Sequence, residues 1–135
     1  MLQEEYQVIA DSFVILGRLD PSPIGGLGGD ERQETKAVLS NLPDGLPVIV
    51  LDHTPSHVEQ YGKEVDLVLS GHTHKGQIFP FQLGTKLLFD VDYGFYKRNE
   101  EAPAYIVTSG AGTWGPPMRI GTNSEIVRIT LQRVK

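Results

Sequence analysis

Three of the four histidines follow directly on two short apolar runs, one reading Val48-Ile49-Val50-Leu51-Asp52-His53-Thr54-Pro55 and the other Leu67-Val68-Leu69-Ser70-Gly71-His72-Thr73-His74-Lys75-Gly76-Gln77. Neutral imidazole is a good ligand for Zn, Mn, Fe or Ni. In an extended stretch, residues two apart point to the same side, so His72 and His74 would face one cavity with α-carbons about 6.5 Å apart. Two cations about 3.5–4 Å apart could then be gripped by one histidine each. Gly71 and Gly76 allow tight backbone turns beside such bulky side chains. A single histidine in a surface loop is most often merely solvated, but three converging at the ends of two strands argue for a metal pair.

The neighbouring candidates have blander alternatives. Asp52 either orients His53 from behind or is an ordinary acid at a strand end. His57 falls inside a short helical segment and is read as a partly exposed helical residue, not a fourth ligand. Arg119 could clamp a phosphoryl group bidentately, against the alternative of an ordinary surface arginine. Trp114 reads as a packing anchor or pocket rim.

The elements that must position these residues follow from pattern. Ser12 to Leu16 is an apolar run ending at Gly17, and the Pro- and Gly-rich stretch from Pro21 to Gly29 reads as a mobile loop. Asp30 and Gln33 have capping-box spacing, and Val38 and Leu42 share a face, which predicts a helix over Glu31 to Leu42 before Pro43. The runs Val48 to Leu51 and Leu67 to Leu69 lack alternation, as strands covered on both faces do. Between them Thr54 can cap a short helix from Pro55 to near Gly62. That crossover suffices for a parallel pair whose ends lie at one sheet edge, where open α/β sheets bind ligands. After Gln77, Gly-punctuated strands are expected, including Ala104 to Thr108 and an alternating, half-exposed Glu125 to Leu131.

At 135 residues the chain reads as one domain, residues 1–135. A net charge of −5 without a local basic patch gives no reason to expect nucleic acid as a partner. With no cysteine, a disulfide framework and a thiolate metal site are both excluded. The apolar runs are far shorter than the roughly 20 residues a membrane span needs, and no signal pattern opens the chain, so the segment reads as soluble.

Gly71-His72-Thr73-His74 after an apolar strand, preceded by a strand ending in His53-Thr54-Pro55, resembles the last two of the five motifs of calcineurin-like metallophosphoesterases. Gly76-Gln77-Ile78 and the later Ser109-Gly110-Ala111-Gly112-Thr113 are similar to a bacterial, often membrane-associated subgroup. The resemblance runs from Val48 to Leu131. It implies an α/β fold whose mixed sheet forms the C-terminal part of a two-sheet sandwich. It implies two divalent metal ions, Mn, Fe or Zn, with His53 and His72 on one and His74 on the other, and hydrolysis of phosphate mono- or diesters. It also implies a parent protein that is membrane-associated or cytoplasmic.

The family's first three motifs, an Asp-x-His pair, a Gly-Asp-x-x-Asp and an Asn-His step, have no counterpart in this chain: Gly29-Asp30 is followed by Gln33 where the second Asp belongs. Three neutral imidazoles compensate little of the charge of two dications, so the chain is expected to be incomplete and weakly active or inactive alone. The missing N-terminal half is then the expected partner, with self-association as another way to cover exposed sheet edges. The rival classes are a non-catalytic metal-binding or interaction module and a cupin-like single-metal site. The second lacks its carboxylate, because Lys75 to Gly84 contains no Asp or Glu.

Overall fold

A computed structural model describes residues 2–20 and 32–132, and the Pro21 to Gly29 loop and Asp30 lie outside them. The described chain forms β1 (Glu5–Ile9), β2 (Phe13–Gly17), α1 (Thr35–Leu39), β3 (Val48–Leu51), β4 (Leu67–Ser70), α2 (Phe81–Leu88), β5 (Gly94–Lys97) and β6 (Ala104–Val107). The six strands make one mixed sheet in the order β1-β2-β3-β4-β6-β5. Its central strands β2, β3, β4 and β6 run parallel, and β1 and β5 flank them antiparallel. The α/β expectation therefore holds.

Pairing Val14 with Val48, Val50 with Val68 and Val68 with Tyr105 puts these side chains on one face. There they join Leu16, Val38 of α1, Tyr61 and Val65 in the core. Full burial of such a valine or leucine stabilises by about 1.5–3 kcal/mol each, which explains the apolar, β-branched composition of β2 to β4.

Four expectations need correction. The helix predicted over Glu31 to Leu42 is only Thr35–Leu39. Before it, the Gln33 carbonyl accepts from Arg18 and the Arg32 guanidinium reaches Asp52, which holds this stretch out of the helix. After it, Ser40 and Asn41 both donate to the Ala37 carbonyl, the local competition that ends helices. Between Thr54 and Gly62 there is a single 3₁₀ turn, Val58–Gln60, entered through His57 at φ 58°. Thr54 bonds Asp20 instead of capping it.

Glu125 to Leu131 is not a strand: its alternation finds no ladder partner, and Ile126 is 91% exposed. Finally, α2 forms where strands were expected, despite Gly84 in its middle.

The Glu125 carboxylate fastens the last segment to the end of β6, accepting from the Ser109 N–H, the Thr108 hydroxyl and the Tyr93 hydroxyl at 2.8–2.9 Å. Burial opposes ionisation, but these three bonds outweigh it and hold the carboxyl below the usual glutamate range. The docking is thus fully present above the ordinary glutamate pKa of about 4.3 and is lost as pH falls through the lower, folded value. The Ser109 amide resonance is expected to follow that titration, and Glu125→Gln to flatten it; an unchanged curve in the variant would assign the titration to another group.

Candidate metal centre

Because β2, β3, β4 and β6 are parallel, their carboxyl ends share one edge, which carries Arg18 to Asp20, Asp52-His53, Gly71 to His74 and Thr108 to Gly112. The Gly71 N–H donates to the His53 carbonyl at 3.0 Å, locking the two histidine loops together. The His53 and His72 rings meet edge to face with centroids 5.0 Å apart. Asp20 Oδ2 lies 3.8 Å from His53 Nε2, and Thr54 donates to the other Asp20 oxygen. A cavity of about 640 Å³ opens here, lined by Gly17, Asp20, Leu51, His53, Ser70 and Gly71 among others.

His72 and His74 do not sit on an extended stretch as expected. Thr73 N–H bonds Gly71 O, Gly76 N–H bonds Thr73 O and Gln77 N–H bonds His74 O, making a compact turn. His72, His74, Lys75 and Gln77 all have φ between 45° and 61°. Such left-handed non-glycine residues cost of order 1–3 kcal/mol each and cluster at functional sites. The turn is held from outside by Thr73, whose hydroxyl donates to Asp92 O at 2.6 Å, and by Gln77. Gln77 is fully buried and exchanges hydrogen bonds with the Trp114 backbone, Nε2 to O and N–H to Oε1, both at 2.8 Å.

Both histidines of the turn are held neutral. Burial, then the neighbouring His53, pushes His72 below the usual imidazole range. Burial, then the Arg119 charge, does the same to His74, against the opposing Gly112 carbonyl. The neutral form is the one that ligates metals, so the donor chemistry fits a cation. The donor number does not complete a shell: among the described residues, no three His, Asp or Glu side chains close into a metal-sized group.

Asp52 does not orient His53. It is buried and takes a two-pronged bond from Arg32 at 2.7 and 3.0 Å and another from the Tyr61 hydroxyl at 2.8 Å. Arg119 is turned inward, onto the carbonyls of His74, Ser109, Gly110 and Gly112. His57 is exposed with Glu59 beside it, but it precedes the Val58–Gln60 turn and is not helical. Asp20 and Gln77 were not anticipated as parts of the site. Asp20 could have been found as an acid just past a strand parallel to β3; nothing in the sequence signals the burial of Gln77.

No family model and no solved structure matches the chain. It is 37% identical to an uncharacterized metallophosphoesterase of Campylobacter jejuni, over 96% of this chain and 36% of that protein. An uncharacterized metallophosphoesterase of Aquifex aeolicus is 36% identical over 90% of this chain and 47% of its own length. A transmembrane protein with a metallophosphoesterase domain from Danio rerio is 41% identical over 64% of this chain and 20% of its own. The chain thus spans less than half the length of these relatives. By this similarity the chain is related to the metallophosphoesterases, matching a portion of each.

Proposed function

We propose that this chain supplies His53, His72 and His74 to the divalent-metal centre of a phosphate-ester hydrolase. The observation that carries the proposal is the locking of the His53 loop to the His72-Thr73-His74 turn at the carboxyl edge of the sheet. A pair of ions, Mn, Fe or Zn, when bound, would supply an acidified water and neutralise phosphoryl oxygens. The chain's own part is to present neutral imidazoles on a strained, braced turn. Asp20 and Thr54 flank His53, and Gln77 and Thr73 hold the turn in place. The remaining carboxylate ligands would come from the rest of the protein, with residues 1–135 forming one portion of a single catalytic domain.

No helix among the described residues is long and apolar enough to cross a membrane. The test is hydrolysis of a chromogenic phosphate monoester and diester with manganese, by the chain alone and by the longer protein, each beside a chelated control. The chain alone is expected to be silent. The longer protein is expected to turn over only with metal and to lose at least 100-fold on His72→Ala or His74→Ala. Metal-independent turnover, or variants that keep full activity, would refute the proposal.

A further inference from the structure

A surface helix ordinarily turns its apolar stripe to the core and its polar residues to water. In α2 the arrangement is reversed. At about 100° per residue, Phe81, Leu83, Leu87 and Leu88 share one side of the helix with Gly84, and Gln82, Thr85 and Lys86 share the other. Two of the polar residues tie the helix to the body of the protein: Gln82 Nε2 donates to the Gly121 carbonyl at 2.9 Å, and the Thr85 hydroxyl to Asp92 Oδ2 at 3.2 Å. The apolar side is left outside, with Leu87 87% and Leu88 79% exposed, and no residue of α2 is buried. A helix of eight residues is marginal in water by its own propensity, and this one gains little from the core.

The apolar surface continues past the helix. Ile78 and Ile120 form a short parallel bridge, the Phe79 N–H donates to the Ile120 carbonyl at 2.9 Å, and the Gln77 side chain donates to the Trp114 carbonyl. Phe79, Trp114 and Ile120, each more than half exposed, are thereby stitched to the start of α2. Contiguous exposed apolar surface of this kind marks partner or membrane sites.

Charge separates the possible occupants. The chain carries −5 overall, yet Lys75 to Phe89 and Ala102 to Ser124, the two runs that build this surface, contain no Asp or Glu and carry Lys75, Lys86 and Arg119. The first acids beyond α2 are engaged by the body of the protein, Asp90 by the Val58 N–H and Asp92 by Thr85. A two-fold contact with a second copy would set like charges against each other. Leucines and aromatic rings edged by lysine, with no acid among them, match instead the boundary between anionic headgroups and acyl chains.

We infer that the outward side of α2, with Phe79, Trp114 and Ile120, is a lipid-contact surface that seats on an anionic lipid–water interface. The helix lies on the bilayer and does not span it: eight residues rise about 12 Å, against a hydrocarbon core of roughly 30 Å. The surface adjoins the turn that carries His74, since a methyl at Gly76 would strike the Gln82 backbone. The inference stands whether or not a metal is held there.

The experiment mixes the chain with vesicles of phosphatidylglycerol and phosphatidylcholine, or of phosphatidylcholine alone, and reads flotation and the emission of Trp114, the only tryptophan. The chain is expected to float with the anionic vesicles, with a blue shift of that emission, and about tenfold less well with the neutral ones. Leu87→Gln combined with Leu88→Gln is expected to weaken flotation at least tenfold, and Lys86→Gln about fivefold. Both leucines are exposed, so the double variant should keep the amide spectrum of the folded chain. No flotation, equal flotation with both vesicle types, an unshifted emission, or a double variant that floats as well as the unaltered chain would overturn the inference. So would a dimer that ignores vesicles and dissociates in the double variant, which would give the face to a second copy. Should the double variant fail to fold, Lys86→Gln and the Trp114 emission of the unaltered chain still decide.

Discussion

Arg18→Met is expected to destabilise the chain by about 3–5 kcal/mol, the cost of leaving one member of a buried ion pair without its partner. Arg18 has a fully buried side chain whose Nε meets both oxygens of Glu4, itself 6% exposed, at 3.1 and 3.2 Å. Its other nitrogens bond Thr35, the Tyr61 hydroxyl and the Gln33 carbonyl. Methionine fills a similar length and satisfies none of these groups, so the Glu4 carboxylate is left buried with, among the described residues, only the Leu19 N–H. Urea denaturation would measure the loss. The double variant Arg18→Met, Glu4→Gln should recover part of it, because the stranded charge is then gone. A loss below about 1 kcal/mol would mean that this pair behaves as a solvent-exposed one.

Gly76→Ala is the second large expectation, about 2–5 kcal/mol or local detachment of α2. Gly76 sits at φ 74°, where an L side chain costs about 1–2 kcal/mol, and its new methyl would meet backbone, with Gln82 Cα at 2.5 Å and Phe81 C at 2.8 Å. Backbone cannot swing aside as a side-chain tip can, so an overpacking cost of about 1–3 kcal/mol adds to the conformational one. Gly84→Ala is the control of opposite sign. It lies inside α2 with nothing within 4 Å of the added methyl, and should gain about 0.5–1 kcal/mol. Hydrogen exchange of the α2 amides would separate the two, and similar protection in both variants would show that close approach at Gly76 is unimportant.

The parts of the fold legible in the sequence were those whose pattern and tertiary role coincide. The runs in β2, β3 and β4 are apolar because they are buried, and the β3–β4 crossover forces the His53 and His72 loops onto one edge. Where local pattern and long-range contact compete, the contact wins. The helix expected from Glu31 starts only at Thr35 because Arg18 holds the Gln33 carbonyl and Arg32 is drawn away to Asp52. The alternation of Val127, Ile129 and Leu131 marks side chains that no described strand covers. β1 was not anticipated: its turn to β2 uses Ala10 and Asp11 at φ 48° and 50°, without the glycine that usually advertises such a hairpin. In the candidate site, residue type singled out the histidines, but the left-handed turn that carries His72 and His74 depends on Gln77 and Asp92, whose partners are remote in sequence. The same holds for Arg119, whose carbonyl partners no side-chain pattern encodes.

The parallel centre of the sheet also has a kinetic meaning. Val14 pairs with Val48 and Leu67 with Ala104, so the three parallel ladders join segments distant along the chain, unlike the β1–β2 and β5–β6 hairpins, and loop-closure entropy must be met before any of the three stabilises the whole. The β3–β4 pair closes the shortest of these parallel crossovers. It is therefore the step expected to nucleate the rest, and also the step that first sets His53 against His72. Folding rate and the appearance of a cation-competent edge should then share one barrier, so that a substitution slowing β3–β4 association delays both by the same factor.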